Sequence, residues 1–261
     1  MLKRRLIPVL FIKNGLIVRS EKFSYHQNIG NVVNEAQRYS QWNVDELIYI
    51  DISRDKSYDI RRDDHKIKSA NSIDEIIKQI SRVCFMPLTF GGGIRNIDDV
   101  RLRIRNGADK ISLNTGAINN PKLIQEVALE FGRQCVVMSI DYRYIDNQPI
   151  VFTDYGTHRS KWSLFDWIKC CEENGAGELF INSIDRDGMA TGYDLELFER
   201  ITGRTRLPII ACGGAADEFD ILELAQETQV SAFAVGNWFH FVENSYSRAK
   251  RLLNENSINI R

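Results

Sequence analysis

The sequence predicts a single (β/α)8 barrel spanning residues 1–261, and three observations carry that expectation. Eight apolar, strand-like runs alternate with eight stretches of helical periodicity from one end of the chain to the other. A length of 261 residues suits one barrel of about 250 residues. The two halves of the chain also repeat one another piece by piece, as two similar half-barrels would.

The elements follow in order. Leu6-Ile-Pro-Val-Leu gives a first strand over 5–10, and a helical pattern follows at 31–42. Glu46-Leu-Ile-Tyr-Ile-Asp gives the second strand (46–51), with its helix at 72–82. The third strand (86–90) runs into Gly91-Gly-Gly, and its helix lies at 96–106. The fourth strand (110–114) precedes a helix at 121–131 that Asn120-Pro121 starts. The fifth and sixth strands, at 136–141 and 178–182, are followed by helices at 163–174 and 194–202. The seventh strand (208–212) leads to a helix over 217–228 that Asp217 caps, and the eighth (232–236) to one over 242–255. Two segments stand outside this pattern. Residues 53–71 are polar and too long for an ordinary βα loop, and 142–153 read as a small hairpin turning at Asp146-Asn147.

Composition excludes several classes. Lys+Arg 34 against Asp+Glu 35 leaves a net charge of -1, which argues against a nucleic-acid binder working by bulk charge. No apolar run approaches the ~20 residues that span a bilayer. The basic start lacks the apolar core of a signal peptide, since Lys13 and Asn14 interrupt it. The cysteines (84, 135, 170, 171 and 212) are odd in number and have no CxxC spacing, so a reducing cytoplasm is expected. With 4 His and no HExxH, no metal or other cofactor is expected.

The internal repeat aligns Glu46-Leu-Ile-Tyr-Ile-Asp with Glu178-Leu-Phe-Ile-Asn-Ser, and Pro87-Leu-Thr-Phe-Gly-Gly-Gly with Pro208-Ile-Ile-Ala-Cys-Gly-Gly. Glycines therefore follow strand 3 (Gly91, Gly92, Gly93) and strand 7 (Gly213, Gly214), on the C-terminal face where barrel active sites are built. Backbone amides there can cradle phosphate, with Asn114, Thr115 and Gly116 completing one pocket and Gly236 and Asn237 the other. Two such pockets suit a ligand phosphorylated at each end; tight turns alone would also explain the glycines. Asp51, Asp141 and Asp187 can face the same mouth as acid–base groups, or serve as caps and loop anchors. At the other end, Arg5, Glu46, Lys110 and Glu178 start strands 1, 2, 4 and 6. Period-2 alternation puts them on the lining shared by Ile7, Ile48, Ser112 and Phe180. On chemistry alone these balanced charges read as a structural plug.

These residues resemble the HisF family, the cyclase subunits of imidazole glycerol phosphate synthase. The likeness covers nearly the whole chain and is carried by Phe90-Gly-Gly-Gly-Ile, Gly107-Ala-Asp-Lys-Ile-Ser-Leu-Asn-Thr, Ser183-Ile-Asp-Arg-Asp-Gly, Thr191-Gly-Tyr-Asp, Ile209-Ile-Ala-Cys-Gly-Gly and Phe239-His-Phe. It extends to the half-barrel relative HisA, but the base quartet and Asp185-Arg-Asp-Gly favour HisF. The resemblance implies a HisH-like glutaminase docked at the barrel base, and ammonia as transferred substrate passing a charged gate at Arg5, Glu46, Lys110 and Glu178. It further implies a bis-phosphorylated ribonucleotide at the mouth, on Gly93, Asn114, Thr115, Gly213, Gly214, Gly236 and Asn237. Of the family's two catalytic aspartates, one matches Asp141 and the other matches Phe11, which transfers no proton; half-barrel symmetry likewise sets Phe11 opposite Asp141. Arg19, Asn182 and Cys212 replace a family Lys, Thr and Ser, so the departures gather at the reacting end. That pattern resembles the WbuZ-type paralogues of surface-polysaccharide clusters. It implies a barrel that passes ammonia, with a sugar amidotransferase as a further partner, to convert an acetamido sugar into an acetamidino sugar. A histidine-pathway cyclase that tolerates Phe11, and a barrel that only scaffolds a partner, are the alternatives.

Overall fold

A computed structural model describes residues 3–54, 58, 70 and 72–261; most of the long polar segment at 53–71 therefore lies outside the described residues. The strands are β1 (Arg5–Lys13), β2 (Leu16–Glu21), β3 (Tyr25–Asn31), β4 (Leu47–Asp51), β5 (Leu88–Gly91), β6 (Lys110–Leu113), β7 (Val136–Ile145), β8 (Gln148–Thr153), β9 (His158–Ser163), β10 (Glu178–Ser183), β11 (Ile209–Cys212) and β12 (Ala232–Val235). The helices are α1 (Val32–Gln41), α2 (Ile73–Ser81), α3 (Ile97–Arg105), α4 (Thr115–Asn119), α5 (Lys122–Phe131), α6 (Leu164–Glu173), α7 (Leu195–Thr202), α8 (Glu218–Glu227), α9 (Trp238–Phe241) and α10 (Ser245–Glu255).

The parallel strands run β10-β11-β12-β1-β4-β5-β6-β7, and a β7–β10 pairing closes the circle. The result is the (β/α)8 barrel that the alternation of apolar runs predicts. Strand alternation sorts the side chains. Leu6, Leu10 and Ile12 of β1 pack outward under the helices, while Ile7, Val9 and Phe11 point into the lumen with Ile48, Val137, Phe180 and Ile210. Helix starts are fixed by side-chain caps: Asn96 forms a reciprocal capping box with Asp99, and Ser163, Asp194 and Asp217 each accept from helix amides.

Two features exceed the sequence expectation. Strand β1 runs on past residue 10 and folds back through β2 and β3, an antiparallel pair lying over the C-terminal end of the barrel. The turn is Asn14-Gly15, both at positive φ, an Asn-Gly hairpin signal that the sequence carries. The expected hairpin at 142–153 forms as β7–β8 and turns at Asp146-Asn147, and β9 extends it. Among the described residues no helix is long and apolar enough to cross a membrane.

Candidate functional site

The base is closed by a ring of four charges. Arg5 Nη1 donates to Glu46 Oε2 at 2.6 Å, and Arg5 Nη2 pairs with Glu178 Oε1. Lys110 Nζ donates to Glu46 Oε1 at 2.9 Å and to Glu178 Oε2 at 3.1 Å. Each cation thus touches both carboxylates, and Thr89 Oγ1 donates to Glu46 Oε1 at 2.9 Å from the strand between. The side chains of Glu46 and Glu178 are 2% and 8% exposed, while Arg5 and Lys110 reach solvent at 15% and 21%. Burial opposes the charge on Glu46, but Lys110 and Arg5 outweigh it and hold its carboxyl below the ordinary value. Arg5 likewise resists burial because Glu178 and Glu46 hold its proton. Above the ring the lumen is mostly apolar, interrupted by the buried hydroxyls of Ser112 and Ser139.

At the other end lies a cavity of about 420 Å³, lined on one side by Gly92, Gly93, Asn114, Thr115 and Asp141. Gly92 sits at φ +101, and a Cβ there would lie 2.1 Å from the Asp51 carbonyl, so loops 2 and 3 meet at a position only glycine can fill. Asp141, at the end of the barrel portion of β7, accepts from Asn114 Nδ2 at 2.7 Å. Burial, with the nearby Asp187 charge, pushes its carboxyl up to about 7, which suits proton exchange near neutrality. Phe11, which the resemblance matches to the family's other aspartate, lines the same cavity as Asp141.

The other two candidate carboxylates are already engaged. Asp51 accepts from Ser53 N, Ser53 Oγ and Tyr58 OH at 3.0, 2.6 and 2.8 Å, and so anchors its own loop. Asp187 accepts from Ser20 Oγ at 2.6 Å and Phe23 N at 3.4 Å, and its carbonyl takes Lys22 N at 2.9 Å. It fastens the β2–β3 hairpin over the mouth, and burial raises its carboxyl to about 6.

Gly92 and Gly93 line the cavity with Asn114 and Thr115, whereas Gly213, Gly214, Gly236 and Asn237 are not part of that lining. Sequence reasoning missed the cavity's Phe23, Arg95 and Tyr155. The Asn14-Gly15 turn points to the hairpin that brings Phe23; nothing local in the sequence signals Arg95 or Tyr155. Among the described residues no group of three or more His, Cys, Asp or Glu side chains could hold a metal ion.

The comparisons fit this geometry. Residues 5–245 match the family model for histidine biosynthesis proteins. The imidazole glycerol phosphate synthase subunit HisF of Lactococcus lactis subsp. lactis (strain IL1403) is 39% identical over 260 residues, covering 99% of this chain and 96% of the relative. The subunit of that name from Hydrogenobaculum sp. (strain Y04AAS1) is 36% identical, and that from Natranaerobius thermophilus 34%, each over the full length of both chains. A matched family model and full-length relatives at this identity leave one assignment: the chain belongs to the histidine biosynthesis protein family, in its HisF group.

Proposed function

We propose that this chain is the barrel subunit of a glutamine-fed complex of the imidazole glycerol phosphate synthase type. It takes ammonia from a HisH-like glutaminase at its base and delivers it to an acceptor at its mouth. The observation that carries this reading is the closed Arg5–Glu46–Lys110–Glu178 ring around an otherwise apolar lumen. A buried ion-pair ring is a poor source of stability, because desolvating four charges consumes most of the Coulombic gain. Its value is as a barrier. Ions and water meet fixed charges, while neutral ammonia needs only a small displacement of one flexible side chain, Lys110 being the one most open to solvent.

For the acceptor, the names of the relatives favour the imidazole glycerol phosphate synthase reaction over the sugar amidination that the sequence pattern suggests. No relative named above carries a polysaccharide function. In that reaction Asp141 is the acid–base group on this chain, its proton poised by burial near neutral pH. One specific observation favours the second reading, delivery to an acetamido sugar: Phe11 stands where a second carboxylate is required. Absence of a positioned acid–base group costs about 10²–10⁴ in rate. The deciding assay is turnover of the histidine-pathway ribonucleotide with free ammonium. Product formation that Asp141→Asn abolishes carries the first reading. An inert wild-type protein that still couples to its glutaminase hands the acceptor to the second.

A further inference from the structure

We infer that His26, on the β2–β3 hairpin, is a second catalytic residue of the mouth, accepting a proton from the incoming ammonia while Asp141 donates one to the oxygen that leaves. The inference rests on the proposed function only in taking ammonia to meet its acceptor in this cavity. Both acceptors considered above offer a carbonyl carbon. When ammonia adds there a C–N bond forms, nitrogen gives up two protons, and the carbonyl oxygen, taking up two, departs as water. The balance needs no oxidant or other co-reactant, but it needs one group that accepts and one that donates. Phe11 can do neither.

Tyr25, Gln27 and Asn28 of β3 are exposed, whereas His26 between them is half-buried and lines the cavity that holds Phe11 and Asp141. Register puts it there. His26 lies opposite Ser20 in the β2–β3 pair, and cross-strand partners share a face. Ser20 lines the same cavity and is tied to the barrel rim, its Oγ donating to Asp187 at 2.6 Å and its carbonyl accepting from Asn237 Nδ2 at 2.8 Å. The imidazole is therefore one cross-strand step from an anchored residue, which gives it the fixed placement that proton transfer needs.

The other ionisable groups of the cavity are committed or unsuited. Asp51 accepts from Ser53 and Tyr58, Tyr155 OH donates to Ser53 O at 3.3 Å, and Asp154 Oδ2 accepts from Thr153 Oγ1 at 3.3 Å. Arg95 keeps its proton at any working pH. Asp141 and His26 remain, and no described residue hydrogen-bonds the His26 imidazole. Burial, then the charges of Lys13 at the end of β1 and Arg54 beyond β4, hold its proton affinity below the ordinary histidine value. Near neutrality His26 is thus a free base, while Asp141, raised to about 7, still carries a proton in much of the population.

The test follows turnover of the bis-phosphorylated ribonucleotide with free ammonium across pH, and the His26 ring-proton NMR signal with and without that ribonucleotide. Wild type should give a bell-shaped profile, rising through the His26 titration below about pH 6.5 and falling through that of Asp141 near 7. His26→Ala and His26→Gln should each lower kcat about 10²-fold, with KM within about threefold, and should abolish the rising limb. Added imidazole should restore His26→Ala by at least about tenfold. His158→Ala, which removes an exposed histidine outside the cavity, should match wild type. The His26 signal should move when the ribonucleotide is added, and thermal melts report that the variants fold. An inert wild type, His26 variants within about threefold of wild type, a rising limb that persists in them, no rescue by imidazole, or a His26 signal that the ribonucleotide leaves unmoved would each overturn the inference. Free ammonium bypasses the base, so a chain that fails to couple to a glutaminase can still pass this test, and a silent His26→Ala leaves the ammonia passage standing.

Discussion

Asp141 holds its proton from about pH 3.8 in its ordinary state to about 7 in the folded chain, because burial first, and the Asp187 charge second, penalise its ionised form. The folded state therefore binds this proton more tightly than the unfolded chain between those values. The stability it contributes is complete below about pH 3.8 and is lost as pH rises through about 7, an effect of at most about 4 kcal/mol. Asp141→Asn should remove this dependence. Urea midpoints at about pH 5 and about pH 8 should converge in the variant relative to wild type; an unchanged pH difference would show that Asp141 is not the titrating group. At Gly92, substitution by Ala forces either the strained φ or the Asp51 carbonyl to give way, and should cost about 2–4 kcal/mol in a denaturation experiment. Asp141 and Phe11 were both legible in the sequence because half-barrel symmetry sets them opposite each other. The tasks of Asp51 and Asp187 were not. Their partners are a loop serine and tyrosine in one case, and in the other Ser20, 167 residues away in sequence.

At the scale of elements, the barrel strands and their eight main helices could be read from periodicity, since each helix buries one face and most begin at a side-chain cap. The β2–β3 hairpin could not be read that way. Its second strand, Tyr25–Asn31, is largely exposed and lacks an alternating pattern, so only the Asn14-Gly15 turn announces it. Its position comes from contacts with the barrel rim that include the Ser20 hydroxyl on Asp187, the Ser20 backbone on Asn237, the Lys22 N–H on the Asp187 carbonyl and the Phe23 ring on Phe11. Asp187→Ala removes the first and should loosen the hairpin without melting the barrel. The expected outcome is limited proteolysis within residues 20–30 at least about tenfold faster than in wild type, with the main thermal transition within a few degrees. Equal cleavage rates would place the hairpin's anchorage elsewhere.

Across the whole molecule, the proposed function is divided between two ends joined by the lumen. The base presents alternating charges on strands 1, 2, 4 and 6, and their inward phase follows from the sequence by counting residues in twos. The mouth was legible as a set of glycines and carboxylates, but the contacts that a distant hairpin makes with Asn237, and Gly192 with Gly214, were not. Removing Lys110 should cost only about 1–3 kcal/mol, since Arg5 still pairs with both carboxylates, so the variant remains folded and testable. The most direct measurement supplies this chain and the proposed HisH-like glutaminase with glutamine labelled with nitrogen-15 at the amide, in buffer holding excess unlabelled ammonium. The label in the aminated product is then read. The account predicts that wild-type product carries mainly the glutamine nitrogen, and that Lys110→Ala or Glu178→Ala shifts it toward the unlabelled pool. Wild-type product labelled only in proportion to the bulk ammonium would contradict a passage from base to mouth.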